Sequence, residues 1–126
     1  MLALHGQLGA GKSVLARAVA RGAGVTCHMP SPTFNLVFRY DTAAGPVLHL
    51  DLYRLTSPAE VWELGWRELG EEDDVVLIEW PERAASLLPA TRWDIHLQPV
   101  EHEPLLREVG AQPVGSPHRL PGPEAA

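Results

Sequence analysis

Along the chain the apolar positions switch period several times, and each switch marks an element. "LALH" (2–5) is a short apolar run suited to a buried strand. A glycine-rich turn, Gly6 to Gly11, follows it. From Lys12 the pattern becomes helical, with Leu15, Ala18 and Val19 on one face and arginines on the other, until Gly22 and Gly24 supply stop signals. "SPTFNLVFRYD" (31–41) predicts a loop running into a strand, because Pro32 keeps Ser31 extended. "TAAGP" (42–46) predicts a turn and "VLHLDLYRL" (47–55) a second strand. In that strand Leu48, Leu50 and Leu52 share one face, while His49, Asp51 and Tyr53 share the other.

The spacing next predicts a helix over 58–70, with Ser57 as N-cap, Pro58 at its first position and Glu60 three residues after the cap. "VVLIEW" (75–80) is continuously apolar before its acid, the mark of a strand covered on both faces. "PERAASLLP" (81–89) predicts a short helix between prolines, and "RWDIHLQ" with "PLLREV" predicts a final hairpin. From Gly110 the apolar period disappears among prolines and glycines, which predicts one folded domain over 1–109 and a disordered tail over 110–126.

Composition narrows the setting. A length of 126 residues suits one domain with a real core. No apolar run approaches the roughly 20 residues that cross a bilayer, and "MLALHG" lacks the features of a secretory signal. Cys27 stands alone, so no internal disulfide is possible and a reducing cytoplasm is the expected location. Sixteen acidic residues against ten basic give −6, the wrong sign for gripping nucleic acid by its phosphates. Residues 60–74 alone carry seven acids and one arginine, either a solvated face or a surface for a basic partner.

The basic residues hold a further signal. Lys12 is the only lysine, and the other nine basic residues are arginines. Where arginine is favoured everywhere else, a lone lysine points to a need for a compact ammonium. It lies in "GQLGAGKS" (6–13), which fits G-x-x-x-x-G-K-[ST], the phosphate-binding P-loop. A chance match to that pattern in a chain this long arises about once in 250. Glycines let the backbone wrap a phosphate chain so that successive N–H groups point inward, and the helix behind them aims its positive end at the same place. Lys12 then reaches the β- and γ-phosphates, and the Ser13 hydroxyl can ligate Mg²⁺.

Such a loop needs a carboxylate at a neighbouring strand end. Glu79, after four apolar residues, has the layout of a Walker B acid, against the plainer reading of a strand followed by any acid. Asp51 is the second candidate: among leucines it either pairs with an arginine such as Arg54 or faces the nucleotide. Thr33 is placed like a γ-phosphate-sensing threonine, or else caps its own turn. Trp80 either flanks a nucleotide or belongs to the core. Trp62 and Trp66 fall at core spacing, and the six histidines, none paired at i,i+3 or i,i+4, read as strand or surface residues.

Taken together, "GQLGAGKS", "SPTFNLVFRYD", "HLDLYRL" and "ELGWRELGEEDDVVLIEWPERAASLLP" resemble, in this order, the TsaE (YjeE) family over roughly residues 2–98. The resemblance implies a three-layer α/β P-loop NTPase fold with a mixed, mainly parallel sheet. It implies Mg²⁺-dependent ATP hydrolysis in the pathway that places N6-threonylcarbamoyladenosine at position 37 of tRNA. The implied partner is the TsaB–TsaD pair, so tRNA is reached only indirectly. By matching position, Leu8, Gly9, Ala10, Gly11, Lys12 and Ser13 would wrap the phosphates of ATP, and Ser13 and Glu79 would hold Mg²⁺. Lys12, Thr33, Asp51, Glu79 and Trp80 would form the hydrolytic site.

Three departures stand out. Gln7 replaces the family's usual aspartate. The family carries a segment ahead of the P-loop strand, whereas Met1 lies five residues before Gly6, so that segment is expected to be missing. After residue 98, "VEHEPLLREV" stands where the family has a Gly-Arg turn. Two further functions share the P-loop: a small-molecule kinase, disfavoured by the single arginine in 58–74, and a non-catalytic nucleotide-binding adaptor.

Overall fold

The computed structural model describes residues 1–7, 9–29, 37–57, 59–60 and 75–117. Its strands are β1 (Leu2–His5), β2 (Val37–Thr42), β3 (Gly45–Asp51), β4 (Val75–Glu79), β5 (Arg92–Val100) and β6 (Glu103–Val114). The helix α1 spans Lys12–Gly22, and a 3-10 helix spans Pro81–Leu87. The six strands form one sheet in the order β2-β3-β4-β1-β5-β6. The four central strands are parallel, and β2 and β6 close the edges in antiparallel pairing.

Parallel pairing explains why the central strands read as continuous apolar runs: both faces are covered. On one face Leu4, Val47, Leu77, Ile95 and Leu97 pack under Ala16 and Ala20 of α1. On the other, Leu48, Leu50, Val76 and Ile78 pack with Leu52, Leu55 and Ala84 of the 3-10 helix. The molecule is therefore an α/β protein of three layers around a mixed, mainly parallel sheet, as expected. Emptying a site such as Leu50, which is 0 % exposed, costs about 2–5 kcal/mol on truncation to alanine.

Three local expectations shift. On α1 the sheet-facing stripe is Lys12, Ala16 and Ala20, with Leu15 and Val19 beside it, while Ala18 is exposed. Small alanines let the helix lie close to the strands. β3 runs from Gly45 and stops at Asp51 instead of spanning 47–55, because the Asp51 carboxylate accepts the Tyr53 N–H at 3.0 Å and turns the chain. Beyond it, the Glu60 carboxylate accepts the Thr56 N–H at 3.1 Å, and 59–60 are helical. The rest of the 58–70 helix, Trp62, Trp66 and the acids at 71–74 lie outside the described residues.

The third shift is the tail. β6 continues through Gly110 to Val114, pairing Gly110 with His96 and Val114 with Arg92. β5 needs a partner along its whole length, so 110–114 form an edge strand although their sequence has no apolar period. Residues 118–126 lie outside the described residues. Met29 is followed directly by the undescribed 30–36, which include Thr33.

Candidate functional site

The C-terminal ends of the parallel strands converge with the start of α1, the position where open α/β sheets bind ligands. β1 feeds the loop at Gly6, where a Cβ would meet the Leu97 carbonyl oxygen at 2.9 Å, so only glycine lets the chain pass β5. Ala10 N–H donates to the Gln7 carbonyl at 3.0 Å, tightening the turn. Gly11 caps α1 at φ 100°, a conformation that favours glycine. Among the described residues no side chain caps α1, and its first turn carries no acid. Its N-terminal N–H groups and positive dipole end therefore remain available to an anion.

Lys12 is 5 % exposed. Its ammonium donates to the Gly6 carbonyl and, at 3.4 Å, to the Gln7 carbonyl, and it stands 3.5 Å from the Trp80 ring centroid. Burial pulls its pKa below the ordinary lysine value, while Glu79, Glu82 and Asp51 oppose that pull. Trp80 itself holds φ 57°, ψ 49°, a left-handed backbone that turns the chain from β4 into the 3-10 helix. Bulky residues rarely adopt it, and such strain gathers at functional sites. The Tyr53 ring packs against Trp80 at 4.9 Å.

Ser13, the second residue of α1, donates its hydroxyl to Glu79 Oε1 at 2.7 Å. Glu79 ends β4 and is 2 % exposed. Its other oxygen, Oε2, accepts from His49 Nε2 at 2.6 Å. Register sets Asp51 directly across from Glu79. Burial lifts the Asp51 pKa above its ordinary value; Glu79 adds to the lift, and the Tyr53 N–H, His49 and Lys12 oppose it. A cavity of about 340 Å³ is bounded by Gly9, Gly11, Lys12, Ser13, Asp51 and Glu79, with Trp80 as a wall. A wider cleft of about 750 Å³ lies behind the loop against His5, Gln7, Glu82 and His96 and shares the Trp80 wall. The smaller cavity gathers the Lys12 ammonium, the start of α1 and the carboxylates of Asp51 and Glu79, which makes it the candidate site.

The structure thus brings together Gly9, Gly11, Lys12, Ser13, Asp51, Glu79 and Trp80, with Ala10 buried behind the loop. Leu8 and Thr33 lie outside the described residues. Asp51 lines the cavity, and the half-buried Trp80 both walls it beside Lys12 and packs against the core cluster of Leu48, Leu50 and Ile78. Sequence reading passed over two residues. His49 shares the Asp51 face of its strand, which was the available signal, but its partner is 30 residues away. Arg107 of β6 donates from Nε to the Ala10 carbonyl at 3.2 Å, fastening the last hairpin to the loop.

The sequence profile described as "Threonylcarbamoyl adenosine biosynthesis protein TsaE" matches residues 1–109. The chain belongs to the TsaE family. It is 42 % identical over 89 residues to a Haemophilus influenzae protein named tRNA threonylcarbamoyladenosine biosynthesis protein TsaE, covering 71 % of this chain and 56 % of that one. A Bacillus subtilis protein of the same name is 36 % identical over 95 residues, covering 75 % and 59 %. The chain therefore spans a little over half the length of these relatives. The crystal structure of Bacillus subtilis YdiB superposes with a TM-score of 0.72 at 30 % identity, covering 90 % of this chain and 68 % of that one. Among the described residues no helix is long and apolar enough to cross a membrane.

The donor set of this TsaE-family site suits Mg²⁺. The Ser13 hydroxyl and Glu79 carboxylate offer hard oxygen atoms 2.7 Å apart, with Asp51 across from Glu79. Mg²⁺ typically takes one or two such protein groups and completes its shell with phosphate oxygens and water.

Proposed function

We propose that this chain binds Mg·ATP at the loop of residues 6–13, hydrolyses it, and serves the N6-threonylcarbamoyl modification of tRNA by acting on the TsaB–TsaD pair. The observation that carries the reading is the contact of Ser13 with Glu79 beside the buried Lys12, at the uncapped start of α1. A structural loop has no need of a buried ammonium and a buried carboxylate at one strand end. Family membership over residues 1–109 supplies the pathway.

Each side chain has a task. The N–H groups at the start of α1 cradle phosphate oxygens, and Lys12 exchanges its loop carbonyls for the β/γ-phosphates. Ser13 and Glu79 are the residues that would hold Mg²⁺, which would supply positive charge against the phosphate oxygens when bound. Asp51, beside Glu79, accepts a hydrogen bond from a water on the phosphate side. Trp80 walls that space. The net charge of −6 supports a route to tRNA through protein partners.

The test is phosphate release with and without the TsaB–TsaD pair at several salt concentrations. Slow turnover alone and salt-sensitive stimulation by the pair are expected. ATP binding with no cleavage under any condition would replace the ATPase by a nucleotide-binding adaptor. Transfer of phosphate to a metabolite would replace it by a kinase.

A further inference from the structure

Glu79 has both carboxylate oxygens engaged, one by Ser13, which lines the smaller cavity, and one by His49, which is not among its lining residues. Oε1 takes the Ser13 hydroxyl at 2.7 Å, while Oε2 takes His49 Nε2 at 2.6 Å. The side chains of His49 and Glu79 are 2 % and 3 % exposed. A carboxylate so deeply buried is costly unless both oxygens find donors. Its terminal torsion is soft and roughly two-fold, so a single donor would leave its direction loosely set.

We infer that His49 is a positioning residue for Glu79. The imidazole stands on β3, one of the four central parallel strands, between the fully packed Leu48 and Leu50. β3 and β4 run in fixed parallel register, with His49 level with Leu77 and Asp51 level with Glu79. His49 therefore reaches Glu79 diagonally along one sheet face. An ionised carboxylate only accepts, so Nε2 carries the proton of this bond. With Oε2 held from the sheet side, Oε1 is aimed at Ser13 and the place proposed for the metal. Partners behind a metal-side ligand set its direction in this way, and losing one typically costs about 10–100-fold in affinity or activity. This inference rests on the proposed role of Glu79.

The experiment compares His49→Gln, whose amide can still donate, with His49→Leu, which cannot; His49→Met replaces the latter if it does not fold. ATP affinity is measured by calorimetry with Mg²⁺ and with EDTA. The ¹³C resonance of the Glu79 side-chain carboxyl is read in the nucleotide-free protein. With EDTA, all variants should bind ATP like the parent. With Mg²⁺, His49→Leu should lose about tenfold or more, while His49→Gln stays within about threefold. The Glu79 resonance should move in His49→Leu and stay near the parent's in His49→Gln. Equal losses in both variants that follow thermal stability, or an unmoved Glu79 resonance in His49→Leu, would overturn the inference. If Mg²⁺ does not tighten ATP binding in the parent, the proposed role of Glu79 has failed, and the resonance still decides whether His49 orients it.

Discussion

The Lys12 ammonium rests 3.5 Å from the centroid of the Trp80 ring, and Trp80 directly follows Glu79. In the proposed function the ring competes with phosphate for the same cation. A desolvated contact of this kind is worth about 2 kcal/mol. Trp80→Leu should lower the melting temperature yet leave ATP affinity equal to the parent's or up to about tenfold tighter. Calorimetry checks this. A loss of affinity would mean that the indole contacts the nucleotide itself.

Glu79→Gln should still bind ATP, with less tightening by Mg²⁺, but cleave it at least about a hundredfold more slowly, because the amide keeps the shape without the charge. Asp51→Asn should show a milder loss, since its amide oxygen can still accept the Tyr53 N–H that shapes the turn. Single-turnover cleavage on folded variants separates them. Parent-like cleavage by Glu79→Gln would reduce Glu79 to a buried strand end.

Arg107 ties β6 to the Ala10 carbonyl and also donates to the Pro104 carbonyl at 2.9 Å and the Leu106 carbonyl at 2.8 Å. Arg107→Met removes these bonds at about 1 kcal/mol each at most, since the site is open to water. The expected result is a few-fold weaker ATP binding with unchanged cleavage of bound ATP. Unchanged affinity would show that the loop holds its shape without the hairpin.

Local physics made the loop, its helix and the doubly covered strand of Glu79 legible from sequence. Glycines before Lys12 have few other uses, and the apolar run of β4 has only one way to be buried. The end of β3 was hidden because the Asp51 side chain, not the period, turns the chain. The strand character of 110–114 was hidden because the unpaired edge of β5, not those residues themselves, sets it. His49 was visible on the Asp51 face, but its partner is fixed by parallel register across a 30-residue separation. Ala16 and Ala20 were overlooked because pattern reading favours large side chains, whereas close helix–sheet contact favours small ones.

Asp94 gives a pH dependence. His5 Nε2 meets its carboxylate at 3.1 Å and Arg92 Nε at 3.0 Å. Burial resists ionisation, but these two bonds prevail and hold the Asp94 pKa below its ordinary 3.8. The folded protein therefore binds that proton more weakly than the unfolded chain. The stabilisation is complete above the ordinary carboxyl value and is lost as pH falls through the folded one. Asp94→Asn should cost about 1–2 kcal/mol at neutral pH, and the gap to the parent should narrow below about pH 4. Denaturant melts across that range check it. A gap constant with pH would show that the charge of Asp94 contributes nothing.

The proposed binding of ATP at the loop rests above all on Lys12, the single lysine of the chain, buried at the start of α1. Calorimetric titration of Mg·ATP into the parent and into Lys12→Ala, both verified as folded, addresses that residue alone. The parent should bind one nucleotide saturably, and Lys12→Ala should bind about a hundredfold more weakly or not at all, because two charge-assisted contacts to phosphate disappear. Lys12→Arg should also be poor, since a guanidinium fork does not fit a cradle built for a point charge. Equal affinities for the parent and Lys12→Ala would contradict phosphate binding at this loop.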